Sequence, residues 1–215
     1  DEVESIDGVL HFAGLKSVSE SVSEPLKYWE ANVNGTINLL AIMDKFNCNT
    51  LVFSSSATVY AHSDNVPLSE KSLIKPINPY GSTKLSIEYI LKDIFNSSHA
   101  GTNFASLRYF NPIGAHSSGL IGEDPKGKPN NIFPLIINTA QGIQKELKIY
   151  GNDWPTKDGT PIRDYIHVMD LADVHIKVLE NLFHASSIYI NLNIGTGIGT
   201  TVLDLVKTFE KVNNV

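Results

Sequence analysis

Residues 50–55 read TLVFSS: strand-forming apolar side chains that run straight into hydroxyls, with a third serine, Ser56, next in line. Residues 24–46 before this stretch and 80–95 after it carry helical spacing, the former with Pro25 at a first-turn position. Beyond those helices lie two more strand-like runs, 8–13 and 104–109. Strand, long helix, strand, long helix, strand predicts a parallel sheet with crossover helices, an α/β architecture. Further strand-like runs follow at 147–150 and 188–194, with helical patterns at 133–144, 170–184 and 201–212. The stretch 111–132, NPIGAHSSGLIGEDPKGKPNNI, is too rich in Gly, Pro and Asn for regular structure. A loop of that length inside a domain marks a binding loop or a linker.

In an open α/β sheet, ligands sit outside the carboxyl ends of the strands, which is where Ser54, Ser55 and Ser56 stand. Tyr80 follows 24 residues after Ser56, inside PYGSTK at 79–84, and Lys84 lies one turn further along the same helix face. A hydroxyl, a phenol and an ammonium gathered at a strand end can handle a secondary alcohol becoming a ketone. The serine orients the oxygen, the tyrosine takes the proton, and the lysine lowers the tyrosine's pKa. A tyrosine titrating near 10 needs a shift of roughly 3 units, about 4 kcal/mol, to act as a base at pH 7. One positive charge about 4 Å away supplies about 4 kcal/mol at an effective dielectric of 20. The plainer alternatives are an amphipathic helix in which a lysine happens to follow a tyrosine, and a strand-end serine bonded to backbone. With eight tyrosines and 15 lysines in 215 residues, chance yields roughly half a match to this spacing, so its surroundings decide.

The bulk numbers narrow the class. A chain of 215 residues, 42% apolar and 19% charged, is long enough to bury one large core or a core with a lobe. Its net charge of −6 and pI near 5.6 argue against nucleic acid or a membrane surface as partner. Cys48 is the only cysteine, which excludes an internal disulfide and suits a reducing compartment. No apolar run approaches membrane-spanning length, and the opening DEVESID is acidic where a signal peptide is basic, so a cytoplasmic location is expected. The chain does not start with methionine and opens almost directly on GVLHFAG, the pattern expected of a piece of a longer protein.

Two features invite other readings. GTGIGTTVLDLV, from residue 195, follows a strand and opens a helix, but its glycines are spaced G-x-G-x-G and Thr200 stands where the third fingerprint glycine belongs. It reads as a glycine turn with Thr200 or Thr201 as helix N-cap. His167 and His175 flank Asp170, yet eight-residue spacing separates the two rings along a helix that Asp170 is expected to cap, so no metal is assigned.

FAGLK at 12–16, SSSATVY at 54–60, PYGSTK at 79–84, LRYFNPIGAH at 107–116, GEDPKGKPNN at 122–131, GTPIRDYIHVMDLA at 159–172 and NIGTGIG at 193–199 occur in the order found in UDP-glucose 4-epimerases. The chain resembles that family, within the extended short-chain dehydrogenase/reductase superfamily, over nearly its whole length. Tyr-x-x-x-Lys marks the superfamily, while Ser-Ser-Ala-Thr, Arg-Tyr-Phe-Asn-Pro and Arg-Asp-Tyr-Ile-His mark the epimerase branch. The resemblance implies an incomplete Rossmann-type doubly wound parallel sheet with a smaller α/β substrate-binding lobe. The NAD-binding domain would take 1–112 and return over 164–187; the lobe would take 113–163 and 188–215. It implies Ser56, Tyr80 and Lys84 as catalytic residues. Phe12, Ala13, Gly14, Lys16, Ser54, Tyr80, Lys84 and Tyr109 would hold NAD, whose oxidised ring adds a second positive charge to that of Lys84. Ser56, Ala57, Thr58, Tyr80, Tyr109, Phe110, Asn111, Asn130, Asn131, Ile132, Lys148, Ile149, Tyr150 and Arg163 would hold UDP-glucose or UDP-galactose. A guanidinium is the preferred grip on a diphosphate, and Arg163 is one of only two arginines; its other reading is an ion pair with Asp164. Lys126 and Lys128 read as solvated loop charges.

The reaction so implied is interconversion of the two sugars through a 4-keto intermediate, with hydride returned to the opposite face, by a homodimeric isomerase. The rivals are a nucleotide-sugar 4,6-dehydratase or decarboxylase on the same fold, and a non-enzymatic dinucleotide-binding protein. Dehydratases place acids beside the catalytic hydroxyl, where this chain has Ala57 and Thr58. The family's Gly-rich phosphate loop and the C-terminal part of its sugar pocket have no counterpart in these 215 residues. Alone, they are expected to show negligible epimerase activity.

Overall fold

In the computed structural model, residues 5–63, 66–97, 101–125 and 129–215 are described. In chain order the elements begin with strand β1 (Val9–His11) and helices α1 (Val18–Ser23) and α2 (Pro25–Tyr28). A π-helical turn (Trp29–Asn34) leads without a break into α3 (Gly35–Lys45). Next come β2 (Thr50–Ser56), a 3₁₀ turn (Ala57–Val59), α4 (Pro79–Asn96), β3 (Asn103–Tyr109) and β4 (Asn111–Ile113). The chain continues with α5 (Ile132–Ala140), β5 (Ile162–His167), α6 (Val168–His184), β6 (Ile188–Ile194), β7 (Gly199–Thr201) and α7 (Val202–Asn213).

The described residues divide into two units. One holds the chain up to Tyr109 together with Ala172–Ile194, the other Phe110–Leu171 together with Gly195–Val215. The first unit is the α/β layer that the strand and helix alternation predicts: four parallel strands in the order β1-β2-β3-β6. Its central strand reads as an unbroken apolar run because parallel strands are covered on both faces. Leu51, Val52 and Phe53 are 1% exposed or less. Helices α3 and α4 bring Leu40, Met43, Ile87 and Leu91 onto Leu51, Phe53 and Phe104, with Cys48 at the edge of the same core. Full burial of such a side chain contributes roughly 1.5–3 kcal/mol. At the start of β1, a Cβ on Gly8 would press on Leu179 and Phe183 of α6.

Helix α4, which carries the tyrosine and lysine, starts where its sequence says it should. Asn78 adopts extended geometry and its side chain accepts the Gly81 N–H at 2.8 Å, while Pro79 fills the first turn, where a missing N–H costs nothing.

The second unit is smaller and mixed: β4 runs parallel to β5, and β7 antiparallel to it. Thr201 caps α7 through a 3.1 Å bond from the Asp204 N–H, as the glycine-turn reading requires. Phe209 of α7 meets Phe133 of α5 edge-on, centroids 6.1 Å apart.

Several expectations are corrected. Residues 147–150 form no strand; with no ladder to satisfy their backbone, Lys148 and Tyr150 stay exposed. The long loop 111–132 opens on strand β4, whose Asn111 pairs in register with Tyr165 of β5. Strands β5 and β7 went unread because IRDYIH is half polar and GTT is three residues long. The stretch 188–194, expected in the lobe, joins the first unit's sheet by pairing residue for residue with β3. The unit boundaries accordingly fall at 109/110, 171/172 and 194/195. Asp170 lies in the first turn of α6, which begins at Val168, and does not precede the helix as a cap would. Lys126 and Lys128 lie outside the described residues. Among the described residues no helix is long and apolar enough to cross a membrane.

Candidate active site

The chain leaves β2 at Ser56 in extended geometry and turns at once into the 3₁₀ segment. There the Ser56 hydroxyl accepts the Thr58 N–H at 3.2 Å and the Thr58 hydroxyl at 3.0 Å. The first turn of α4 presses against this corner. A Cβ on Gly81 would stand 2.6 Å from the Thr58 carbonyl oxygen, so only glycine permits the approach. PYG is thus a packing signature as well as a helix start.

Lys84 is 5% exposed. Its ammonium donates to the Ser54 carbonyl at 2.7 Å and lies over the Phe53 ring, 4.8 Å from the centroid, and 5.8 Å from that of Tyr80. Burial pulls its pKa down to about 8. The Tyr80 phenol moves in the opposite direction from the one expected. Burial pushes its pKa above the ordinary tyrosine value, and a hydrogen bond with Ser56 only partly offsets this. The reason is physical: the cost of withdrawing the phenolate from water outweighs the Ser56 bond.

Behind these groups lies a buried polar cluster. Arg108 of β3 and Glu88 of α4, 1% and 2% exposed, form a forked pair with Nη2–Oε2 at 2.6 Å and Nε–Oε1 at 3.0 Å. Ser55 donates to Glu88 Oε1 at 2.6 Å. Arg108 also donates to the Tyr60 hydroxyl at 2.8 Å, and Tyr60 donates to Asn193 of β6 at 2.6 Å. In front of α4, the π-helical turn presents Asn32, whose amide bonds both the N–H and the carbonyl of Leu15 and the Thr83 hydroxyl. A Cβ on Gly14 would come within 3.0 Å of that amide oxygen.

Phe12, Ala13, Gly14 and Lys16 are exposed just past the carboxyl end of β1. Phe12 rests on the His175 ring at 4.8 Å, and the Tyr109 hydroxyl bonds His175 Nε2 at 2.5 Å. Burial raises the Tyr109 pKa, partly offset by a bond with Ser54. The first unit therefore brings together Phe12 to Lys16, Ser54, Ser56, Ala57, Thr58, Tyr80, Lys84 and Tyr109 around the carboxyl ends of its strands.

The remaining candidates belong to the second unit. Asn111 is in β4. Asn131 precedes α5 and gives its amide to Glu123 at 2.9 Å, with Asn130 and Ile132 on either side. Arg163 is exposed on β5 and donates to the Ile162 carbonyl at 2.7 Å. Asp164 instead accepts Thr196 N–H, Thr196 hydroxyl and Gly197 N–H, so the glycine-turn amides are already occupied by a carboxylate. Lys148 pairs with Glu146 at 3.3 Å.

Sequence reasoning missed Asn32, Gly81, Glu88, Arg108 and His175. For Glu88 a signal existed: it continues the Tyr80, Lys84 face by one more turn, a charge on a face that must be buried.

The chain matches the NAD dependent epimerase/dehydratase family over residues 1–195. UDP-glucose 4-epimerase 2 of Oryza sativa subsp. japonica is 53% identical over 208 residues, which are 96% of this chain and 51% of that protein. UDP-glucose 4-epimerase of Yersinia enterocolitica is 54% identical over 208 residues, 96% of this chain and 61% of that protein. Among solved structures, UDP-glucose-4-epimerase from Stenotrophomonas maltophila, with bound NAD and formylated UDP-arabinopyranose, superimposes with a TM-score of 0.94 at 47% identity. That match covers 98% of this chain and 62% of the other. The chain thus spans little more than half the length of these relatives.

Proposed function

The chain belongs to the NAD-dependent epimerase/dehydratase family, and from that premise we propose that it carries the chemistry of a UDP-hexose 4-epimerase, interconverting UDP-glucose and UDP-galactose. The observation that carries this reading is the strand end where Tyr80 interacts with Ser56 while Lys84 bonds the Ser54 carbonyl at 2.7 Å. Tyr80 takes the proton of the sugar 4-hydroxyl, and Ser56 holds the same oxygen as it becomes a ketone. Lys84 supports the tyrosinate that forms. NAD, when bound, supplies the acceptor for the C4 hydride and its return, together with one positive charge.

The residues present fit that cofactor. Phe12, Ala13, Gly14 and Lys16 leave an exposed rim past β1, and Gly14 lies so close to Asn32 that a Cβ there would come within 3.0 Å of its amide oxygen and 3.8 Å of the Lys84 ammonium. Ser54, Tyr80, Lys84 and Tyr109 line the strand ends behind it. Because burial holds Tyr80 above the ordinary range, the reaction depends on those positive charges to release its proton. For the nucleotide sugar we assign Ser56, Ala57, Thr58, Tyr80 and Tyr109. By the family resemblance we add Phe110, Asn111, Asn130, Asn131, Ile132, Lys148, Ile149, Tyr150 and Arg163. We assign a homodimeric assembly and a cytoplasmic location on the same resemblance.

Ala57 and Thr58 offer no acid at neutral pH to expel a 6-hydroxyl, so oxidation stops at C4. The test is incubation of the complete protein with UDP-galactose, followed by proton NMR. Appearance of UDP-glucose supports the reading; no conversion, or a 6-deoxy-4-keto sugar, overturns it.

A further inference from the structure

Three residues on one face of α4 each meet one of three successive residues at the end of β2. Tyr80 interacts with the Ser56 hydroxyl, Lys84 bonds the Ser54 carbonyl at 2.7 Å, and Glu88 accepts from the Ser55 hydroxyl at 2.6 Å. Spacing of four residues stacks the helical side chains one above another, so they meet the strand end as a ladder of three rungs. Two of the rungs carry the groups assigned to the reaction. The third, Glu88, is assigned to neither the substrate nor the cofactor, and it is the one anchored from behind.

That anchor crosses the sheet in register. Ser55 pairs with Arg108, and Arg108 with Asn193, on adjacent strands. Arg108 grips both oxygens of Glu88 and donates to Tyr60, which donates to Asn193. The Tyr189 hydroxyl adds a bond to the Glu88 backbone carbonyl at 3.0 Å. A forked guanidinium–carboxylate pair has one good geometry, whereas an apolar contact of the same volume tolerates sliding. Buried ion pairs often contribute no more stability than well-packed apolar residues. What this one supplies is position.

We propose that Glu88, held by Arg108 and bonded to Ser55, is a positioning residue that sets the register of α4 against β2 and so places Tyr80 and Lys84 on Ser56 and Ser54. The proposal rests on Tyr80 and Ser56 being the reacting pair. A displacement of about 1 Å at a reacting group can cost about 100-fold in rate, so a loose third rung should be visible in turnover.

The test uses the complete, NAD-loaded protein and three variants. Ser55→Ala removes only the rung and keeps the ion pair. It should lose only a few degrees of melting temperature and keep its NAD content, lower kcat per folded molecule about tenfold at unchanged KM for UDP-galactose, and move the acidic limb of the kcat–pH profile to higher pH. Ser55→Thr should restore both kcat and the limb. The double variant Glu88→Leu/Arg108→Met should fold and lose turnover by at least as much; if it does not fold, Ser55→Ala decides alone. Wild-type kcat and pH profile in Ser55→Ala overturn the proposal, as does a kcat loss that merely follows loss of folded, NAD-bearing protein. Tyr80→Phe separates the two readings: a fully active Tyr80→Phe sinks the assignment of the reacting pair. An inactive Tyr80→Phe beside a normal Ser55→Ala sinks only the positioning role.

Discussion

The two units use carboxylates in opposite ways. In the first, Glu88 lies fully buried and its oxygens are taken by Arg108 and Ser55, so one carboxylate ties a helix to two strands. In the second, Asp164 and Asp158 lie nearer the solvent and serve turns. Asp164 collects the amides of Thr196 and Gly197, and Asp158 accepts from the Thr160 N–H and from the hydroxyls of Thr160 and Thr201. The Thr201 bond leads the causes that pull the Asp158 pKa down to about 2. A carboxylate at a turn shapes a few residues of backbone. One buried in a forked pair fixes where whole elements stand, because neither charge can leave its partner without an uncompensated cost of several kcal/mol. Chemistry that needs fixed distances therefore belongs with the first kind of environment. The second unit's candidates, Asn131, Lys148 and Arg163, are exposed, and nothing comparable holds them in register.

That contrast can be broken most decisively at Tyr80. Tyr80→Phe keeps the packed ring and removes the reacting oxygen, so turnover should fall by about 10²–10⁴ while nucleotide-sugar binding holds. Steady-state kinetics showing near-normal kcat would leave the first unit with no claim to the chemistry.

Lys84 tests whether burial in the first unit is as complete as it looks. Its folded pKa, about 8, lies below the ordinary lysine value of 10.5. Between those values the unfolded chain binds more protons, so stability should rise with pH from about 8 to 10.5, by up to roughly 3 kcal/mol. Below pH 8 the full cost of the buried charge is present. Denaturant titrations across that window should show the rise in the wild type and a flat response in Lys84→Met. Parallel curves for the two proteins would mean that water reaches Lys84.

Two glycines sharpen the comparison at smaller cost. A Cβ on Gly81 would meet the Thr58 carbonyl, and one on Gly159, in the left-handed region at φ +77°, would run into the Asn152 carbonyl. Substitution by alanine should cost each fold about 1–3 kcal/mol. Gly81→Ala should also depress kcat, by pushing α4 off the Ser56 corner, whereas Gly159→Ala should leave kcat per folded molecule unchanged. Equal kinetic damage from both would erase the distinction between the units.

The smallest expected effect is at the cap of α7. Thr201→Ala loses both the bond from the Asp204 N–H and the one to Asp158 and should lower stability by about 1–2 kcal/mol in thermal unfolding, with no change in turnover. A kinetic defect there would bring the α7 turn into the functional machinery.

Much of the first unit was legible because its central strands are buried and its helices are long. TLVFSS, the alternation around it and the Asn78–Pro79 helix start all declare themselves locally. The second unit was harder for the opposite reason. Its strands are short, half exposed and polar, so IRDYIH looked like loop, and KIY at the end of 147–150 looked like a strand that never found a partner.

By itself the sequence determined the parallel α/β plan and put Tyr80, Lys84 and Glu88 on one helix face, because spacing along a helix or strand is a local property. It also carried the motifs that place the chain in its family. Only the tertiary structure decided that Arg108 meets Glu88, that β6 joins the first sheet, and that Gly81 touches Thr58. It alone decided the protonation of the site as well. The cost of removing a charge from water depends on everything packed around it, and that drives Lys84 down and Tyr80 up regardless of how close the two lie in the chain.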